Sequence, residues 1–317
     1  MRAPSSILHP RLSAAPAARR GGVPGWVPLV ILIAGLFLVL RSLEQDARAR
    51  GVARIDVTRY ALHENTRYVH PTWRADLERV LRRQAELSVD DTLGIEQLVA
   101  EVRALPFVAE VGEPNVVWPD GLSLPLRMHE PVACIRVGGR DFLPVSADGT
   151  VLSGYTSEPH SAYGAWLPAL GPHGLGEDTR GPYQPGDHLV ERPLLDALDV
   201  ARSMWFHLSP EEVRALGPIV IDASRETAPT QRALPGGVVI DMERARRILF
   251  GRPPRPVEPG ELPVASKWEH VREGLARLYA GGTGASGGGA WDVLDVRFDQ
   301  LYAASKADWA AAGEGER

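Results

Sequence analysis

The sequence predicts an α+β protein carried by an N-terminal transmembrane helix. A β-α-α-β-β unit is expected over residues 52–130, and a mostly antiparallel β domain with flanking helices over residues 131–303. Three observations predict this. An uncharged stretch of 18 residues lies near the start. Two amphipathic helical periods follow one another between 71 and 105. Beyond 131, short β-prone runs alternate with turns that contain glycine.

The uncharged stretch is 23–40, VPGWVPLVILIAGLFLVL. As a helix it spans about 27 Å, close to the thickness of a hydrocarbon core. Val23 and Leu40 bound it, and Trp26 is placed to sit at an interface. The transmembrane segment is taken as 23–43. Residues 1–22 hold Arg2, Arg11, Arg19 and Arg20 and no acidic residue. The positive-inside rule therefore keeps this tail in the cytoplasm and exports the rest. A cleaved signal peptide is the alternative, through Ala47-Arg48-Ala49, but that site lies nine residues past the apolar run.

Of 35 basic and 40 acidic residues, the tail takes four basic ones, so the remainder carries 31 against 40. An acidic surface of this kind disfavours nucleic acid as a partner. Cys134 is the only cysteine. No internal disulfide can form, and the exported part must rely on its core. A free cysteine on a strand is usually a buried, inert packing residue.

The elements follow from periodicity. Residues 52–60 are short and β-prone. Pro71-Thr72 opens a helix whose Trp73, Leu77, Val80 and Leu81 share one face. Asp91-Thr92 caps a second, with Ile95, Leu98, Val99, Val102 and Leu105 inward and Pro106 as its stop. Residues 107–117 and 122–129 then read as a hairpin with Trp118-Pro119-Asp120-Gly121 at its tip. The tryptophan is expected to pack over its own core. Two helices on one face of a three-stranded sheet would bury one shared core. Past Pro131, strands are expected at 132–137, 142–145 and 150–152, with Gly138-Gly139 and Asp148-Gly149 as turns. Further strands fall at 219–222, 237–242, 247–250 and 291–298. Helices fall at 193–206 and 264–279. Residues 304–317 read as a loose, alanine-rich tail.

Catalytic patterns are thin. There is no His-Glu-x-x-His, no cysteine pair and no histidine pair at i, i+4 spacing. GGTGASGGG at 281–289 lacks the Lys-Ser/Thr of a phosphate loop and reads as a flexible connection. No enzyme activity, cofactor, metal or small-molecule substrate is expected.

The order of elements, with LPFV at 105–108, WPDGL at 118–122 and EPVA at 130–133, resembles the FtsQ/DivIB family of bitopic bacterial cell-division proteins. Downstream, LPALGP at 167–172, RRILFGR at 246–252 and LDVRFD at 294–299 are similar to further steps of that family. The match covers most of 23–303. Met128-His129, Pro125 and Leu301 depart from the family's pattern.

The resemblance implies that 52–130 is a POTRA domain and 131–303 the family's β domain. It implies a non-catalytic scaffold at the division septum of the inner membrane, with an FtsB–FtsL type pair as partners. The partner would add a strand to an open edge formed by the last strand. On that reading Leu294, Val296 and Phe298 face the core, while Asp295, Arg297 and Asp299 face outward. Arg297 and Phe298 match the family's Arg-aromatic pair, so Asp295, Arg297, Phe298 and Asp299 are the expected partner-binding residues. Pro131, its φ locked, is the expected hinge between the domains. Two other classes cover less of the chain. One is a POTRA-bearing polypeptide chaperone or translocation factor, which would carry repeated units or a barrel. The other is an exported enzyme with Cys134 or a carboxylate in a loop pocket.

Overall fold

The computed structural model describes residues 26–49, 54–57, 61–62, 66–84, 87–88, 91–117, 121–137, 141–171, 183–224, 237–254, 260–280 and 291–309. The chain divides into two compact units, Met1–Ala53 and Arg54–Arg317. In the first, α1 (Val27–Ala49) is a helix of 23 residues, about 34 Å at the usual rise per residue. It is long and apolar enough to cross a membrane, and its span Val27–Asp46 is not buried against protein. Trp26 and Leu40 are both exposed, as a lipid-facing helix requires. Val23 and the basic tail lie outside the described residues.

The second unit opens with β1 (Arg54–Ile55), β2 (Ala61–Leu62) and α2 (Pro71–Arg83). It continues with β3 (Leu87–Ser88), α3 (Thr92–Arg103), β4 (Val108–Val111), β5 (Asn115–Val117), β6 (Gly121–Ser123) and β7 (Pro125–Met128). His70 caps α2 and Asp91 caps α3, the latter accepting from the Gly94 N–H at 2.9 Å. The two helices bury Trp73, Leu77, Leu81, Leu98 and Val102 with Phe107, Leu122 and Leu126. Trp73 stacks on Phe107 with ring centroids 5.4 Å apart. The sheet order is β2-β7-β4, with β2 parallel and β4 antiparallel to β7.

The structure changes two details here. Within the expected strand at 52–60 the described residues show β1, and β2 follows just past it. The first, β1, pairs with β3 between the helices, and only β2 joins the three-stranded sheet. The hairpin is also broken into two ladders, β4–β7 and β5–β6. Gly112 still follows the first ladder, its N–H donating to the Pro125 carbonyl at 2.9 Å; beyond it Pro114 lacks an N–H donor, and β5 pairs with β6 one register step away, Asn115 opposite Ser123. The tip residues 118–120, with Trp118, lie outside the described residues.

The remainder builds one sheet of eight strands. In chain order these are β8 (Pro131–Val137), β9 (Asp141–Ser146), β12 (Ala169–Leu170), β13 (Ile219–Asp222), β14 (Val238–Met242), β15 (Arg247–Gly251), β16 (Val293–Asp295) and β17 (Tyr302–Ala304). A small hairpin, β10 (Ser161–Ala162) with β11 (Ala165–Trp166), stands outside it. The spatial order is β17-β16-β15-β14-β13-β12-β8-β9. The sheet is mixed rather than mostly antiparallel. β12 runs parallel to both β8 and β13, and β16 parallel to β15. Parallel neighbours need long crossovers. α4 (Arg192–His207) and α5 (Pro210–Leu216) occupy the one between β12 and β13, and α6 (Val264–Ala280) the one between β15 and β16.

These helices cover one face of the sheet. Leu198, Ala201, Met204, Trp268 and Val271 meet Ile135, Ile221, Ile240, Phe250 and Leu294 in the main core. α6 comes close to β16 because it carries glycine at the crossing. A Cβ on Gly274 would stand 2.5 Å from a Leu294 methyl carbon. Pro131, expected to fix the angle between two domains, is the buried first residue of β8 and pairs with Ser146. Strand-initial proline is tolerated because it opens the ladder rather than interrupting it. Contacts between the two cores bypass it: Leu152 packs into the first core, and the Trp73 indole donates to the Ser153 carbonyl at 2.6 Å.

Candidate functional site

The C-terminal end of the eight-stranded sheet carries every residue that the sequence marks for partner binding. β16 supplies Asp295, and the chain then bends through Arg297, Phe298 and Asp299 before returning as β17. The expected outward pair is in fact inward. Asp295 is 1% exposed and Arg297 4%. The Arg297 guanidinium donates to Asp295 through Nε and Nη2, each at 2.9 Å, and the Arg297 backbone N–H adds a third bond at 3.1 Å.

Burial of both charges is possible because each satisfies the other in a two-pronged geometry. The pair is also closed over from outside the sheet, where the Leu262 N–H donates to the Arg297 carbonyl at 2.9 Å. Beside it lies a second buried pair, Lys267 with Glu261 at 2.6 Å, and the Lys267 ammonium stands 5.0 Å from the centre of the Phe250 ring. Desolvation by burial holds the Lys267 pKa below the usual lysine range, against the pull of Glu261. Phe298 is half-buried with the Arg297 guanidinium 5.1 Å from its ring centre, and Asp299 is exposed. Of the four expected partner-facing residues, Asp295 and Arg297 are therefore interior.

The expectation that the strand around 294–298 is itself the open margin is likewise overturned. β17 pairs antiparallel with β16, setting Leu294 opposite Ala303 and Asp295 opposite Tyr302. The margin moves one strand outward. β17 is the terminal strand, and no described strand lies beyond it. The opposite end differs. β9 is shielded by the chain's own next segment, through bridges of Phe142 with Thr156 and of Val145 with Val151.

Part of the tail expected to be loose secures β17 from behind. Ser305 caps a helical turn at 306–309, its hydroxyl accepting from the Asp308 N–H at 3.1 Å. Trp309 packs on Val239, Leu249 and Val293, the sheet face away from α4 and α6. Its ring lies 5.7 Å from Tyr302. Sequence reasoning missed both β17 and Trp309. The available signal was a single tryptophan in an alanine-rich stretch, one helical turn beyond Ser305.

Other sites give little chemistry. The Cys134 thiol is fully buried against the Leu167 and Pro168 carbonyls, and desolvation pushes its pKa up to about 12. Among the described residues no group of three or more His, Cys, Asp or Glu is placed to hold a metal ion. A cleft of about 290 Å³ opens on the sheet beside Arg136, Phe142, Val220, Asp241 and Met242. No family model matches the chain, and no curated protein matches it.

Proposed function

We propose that this chain is a single-pass, membrane-anchored scaffold of the FtsQ/DivIB type, which gathers cell-division proteins of the FtsB/FtsL kind at the septum by strand addition. In this reading α1 crosses the inner membrane with the basic tail in the cytoplasm. The two helices over the β2-β7-β4 sheet form the POTRA domain, and the eight-stranded sheet is the partner-binding domain. The observation that carries the reading is β17. It ends a sheet whose other end is shielded by the chain itself. A strand that ends a sheet, as β17 does among the described strands, is where an incoming strand can add through main-chain hydrogen bonds.

A crosslinking experiment tests it. A photoreactive amino acid at Ala303, exposed on β17, is expected to capture an FtsB-type membrane protein in dividing cells. The same group at Thr156, on the shielded end, is expected to capture none. Depletion of the protein is expected to give filamentous cells, and a tagged copy a midcell band. Equal capture at both ends, or normal division after depletion, would remove the proposal.

A further inference from the structure

Two imidazoles meet where the two cores of the folded unit touch. His70 caps α2, and His160 lies between β9 and β10. Their ring centroids are 5.3 Å apart, with the planes at 71°. Gly154 lets them come together. Its φ is +114°, and a Cβ there would stand 3.1 Å from the His70 Nδ1. The rings line a cleft of about 460 Å³ with Tyr68, Glu158 and Trp166.

The His70 ring is engaged in a way that suits the neutral form. The His70 Nδ1 accepts from the Thr72 backbone N–H at 3.3 Å and lies 2.6 Å from the Thr72 hydroxyl oxygen. A proton on that nitrogen would remove the cap and set a cation against the positive end of a helix. His160 is 3% exposed, and its Nε2 donates to the Phe142 carbonyl at 3.3 Å.

The charged and titratable groups around them are few. Arg67 and Tyr68 lie on the approach to α2, and Glu158 on the cleft wall. Tyr163 stands 6.2 Å from Tyr68, within the influence of Glu130 and Arg67. The Cys134 thiol receives a backbone hydrogen bond at His160. Among the described residues neither ring stands in an ion pair; the histidine that does is His129, with Asp148 at 3.9 Å.

We propose that the His70–His160 contact is an acid-sensitive clasp between the two cores, shut while both rings are neutral and opened by their protonation. Burial lowers the pKa of both rings; at His160 it outweighs the backbone hydrogen bonds to Phe142 and Gly154, which pull the other way, and His70 lowers it further. A freed histidine titrates near ~6.5. As pH falls through that range, the open form takes up protons before the closed form does. The closed form is therefore fully favoured above the ordinary histidine range and loses ground as pH drops toward the lowered values.

The test is amide hydrogen exchange on the full chain in detergent micelles at pH 7.5 and 5.5, corrected for the intrinsic pH dependence of exchange. Protection at Trp73 and Gly154 is expected to fall severalfold on acidification, as linkage to the lowered ring pKa values requires. Protection at Met204 in α4 should hold. The double variant His70→Asn, His160→Gln keeps a cap and a donor but cannot titrate, and is expected to stay protected at pH 5.5. An unchanged wild type, or a double variant that opens as the wild type does, would overturn the proposal. So would a His129→Gln variant that alone abolishes the pH response. Should the double variant fold poorly, NMR titration of the wild-type rings decides: values at or above the ordinary histidine range would exclude the clasp.

Discussion

Replacing Asp295 by alanine is expected to lower the stability of the fold, because its carboxylate faces a buried guanidinium. Asp295 accepts three hydrogen bonds from Arg297, two from the side chain at 2.9 Å and one from the backbone at 3.1 Å. With exposures of 1% and 4%, neither group can turn to water without local unfolding. Arginine cannot shed its proton to escape. Removing one partner of such a pair costs about 3–5 kcal/mol, whereas an exposed pair contributes about 0–1 kcal/mol. In a unit of this size 1 kcal/mol moves the midpoint by about 2–4 °C, so a drop of roughly 6–20 °C is expected. Thermal unfolding of the full chain in micelles, followed by circular dichroism, gives the value. A drop under ~4 °C would mean that the pair is solvated, as an outward-facing charged strand would have it, and the assignment of these residues to the interior would fail.

Three further outcomes follow from other parts of the structure. Trp73→Phe keeps the stack on Phe107 but leaves the Ser153 carbonyl without its indole donor; a loss of about 1–3 kcal/mol in urea unfolding is expected. Ala245→Gly is expected to stabilise by up to about 1 kcal/mol, since Ala245 holds a φ of +59° in the β14–β15 turn, where any residue but glycine is strained. The Cys134 thiol, held up to about 12 by burial, is expected to resist thiol reagents at pH 8 in the native state and to react once urea unfolds the chain; rapid native labelling would contradict its burial.

The parts of the fold legible in the sequence are those set by local periodicity. The uncharged run at 23–40 gives α1, and the spacing of Trp73, Leu77, Leu98 and Val102 gives two helices with the faces that the core in fact receives. What periodicity misses depends on distant partners. β12 is two residues long and stands in the sheet only because β8 and β13 flank it in parallel. Alternation correctly assigns Leu294 and Val296 to the core, but says nothing of what covers the other face. Charged residues there default to solvent, and the segment that closes over Arg297 comes from 30 and more residues upstream. β17 is a Tyr-Ala-Ala strand of weak intrinsic preference, held by pairing to β16 and by Trp309 behind it. His70 is not among the favoured cap residues, so Pro71-Thr72 marked the helix start without revealing which group satisfies it.

The buried pair and the terminal strand are physically linked. A slip of one residue in β16 would turn Leu294 out of the core and carry Asp295 into it. Hydrophobic burial already penalises that slip, because Leu294 and Val296 would both leave the core. The Asp295–Arg297 pair lies within this one segment and would travel with it, so a slip would also carry both buried charges away from the surroundings that cover them, where the Leu262 N–H meets the Arg297 carbonyl, at a further cost. β16 is thus pinned in one register, and β17 inherits it through Leu294–Ala303 and Asp295–Tyr302. An edge that is to receive an incoming strand must present its main-chain groups at fixed positions, since each step of misregister exchanges the faces of the newcomer's side chains. The charges that the sequence offers as partner contacts therefore act one strand further in. On the proposed function they stand behind the strand that a partner would meet, and substitutions there would alter strand addition by loosening that support.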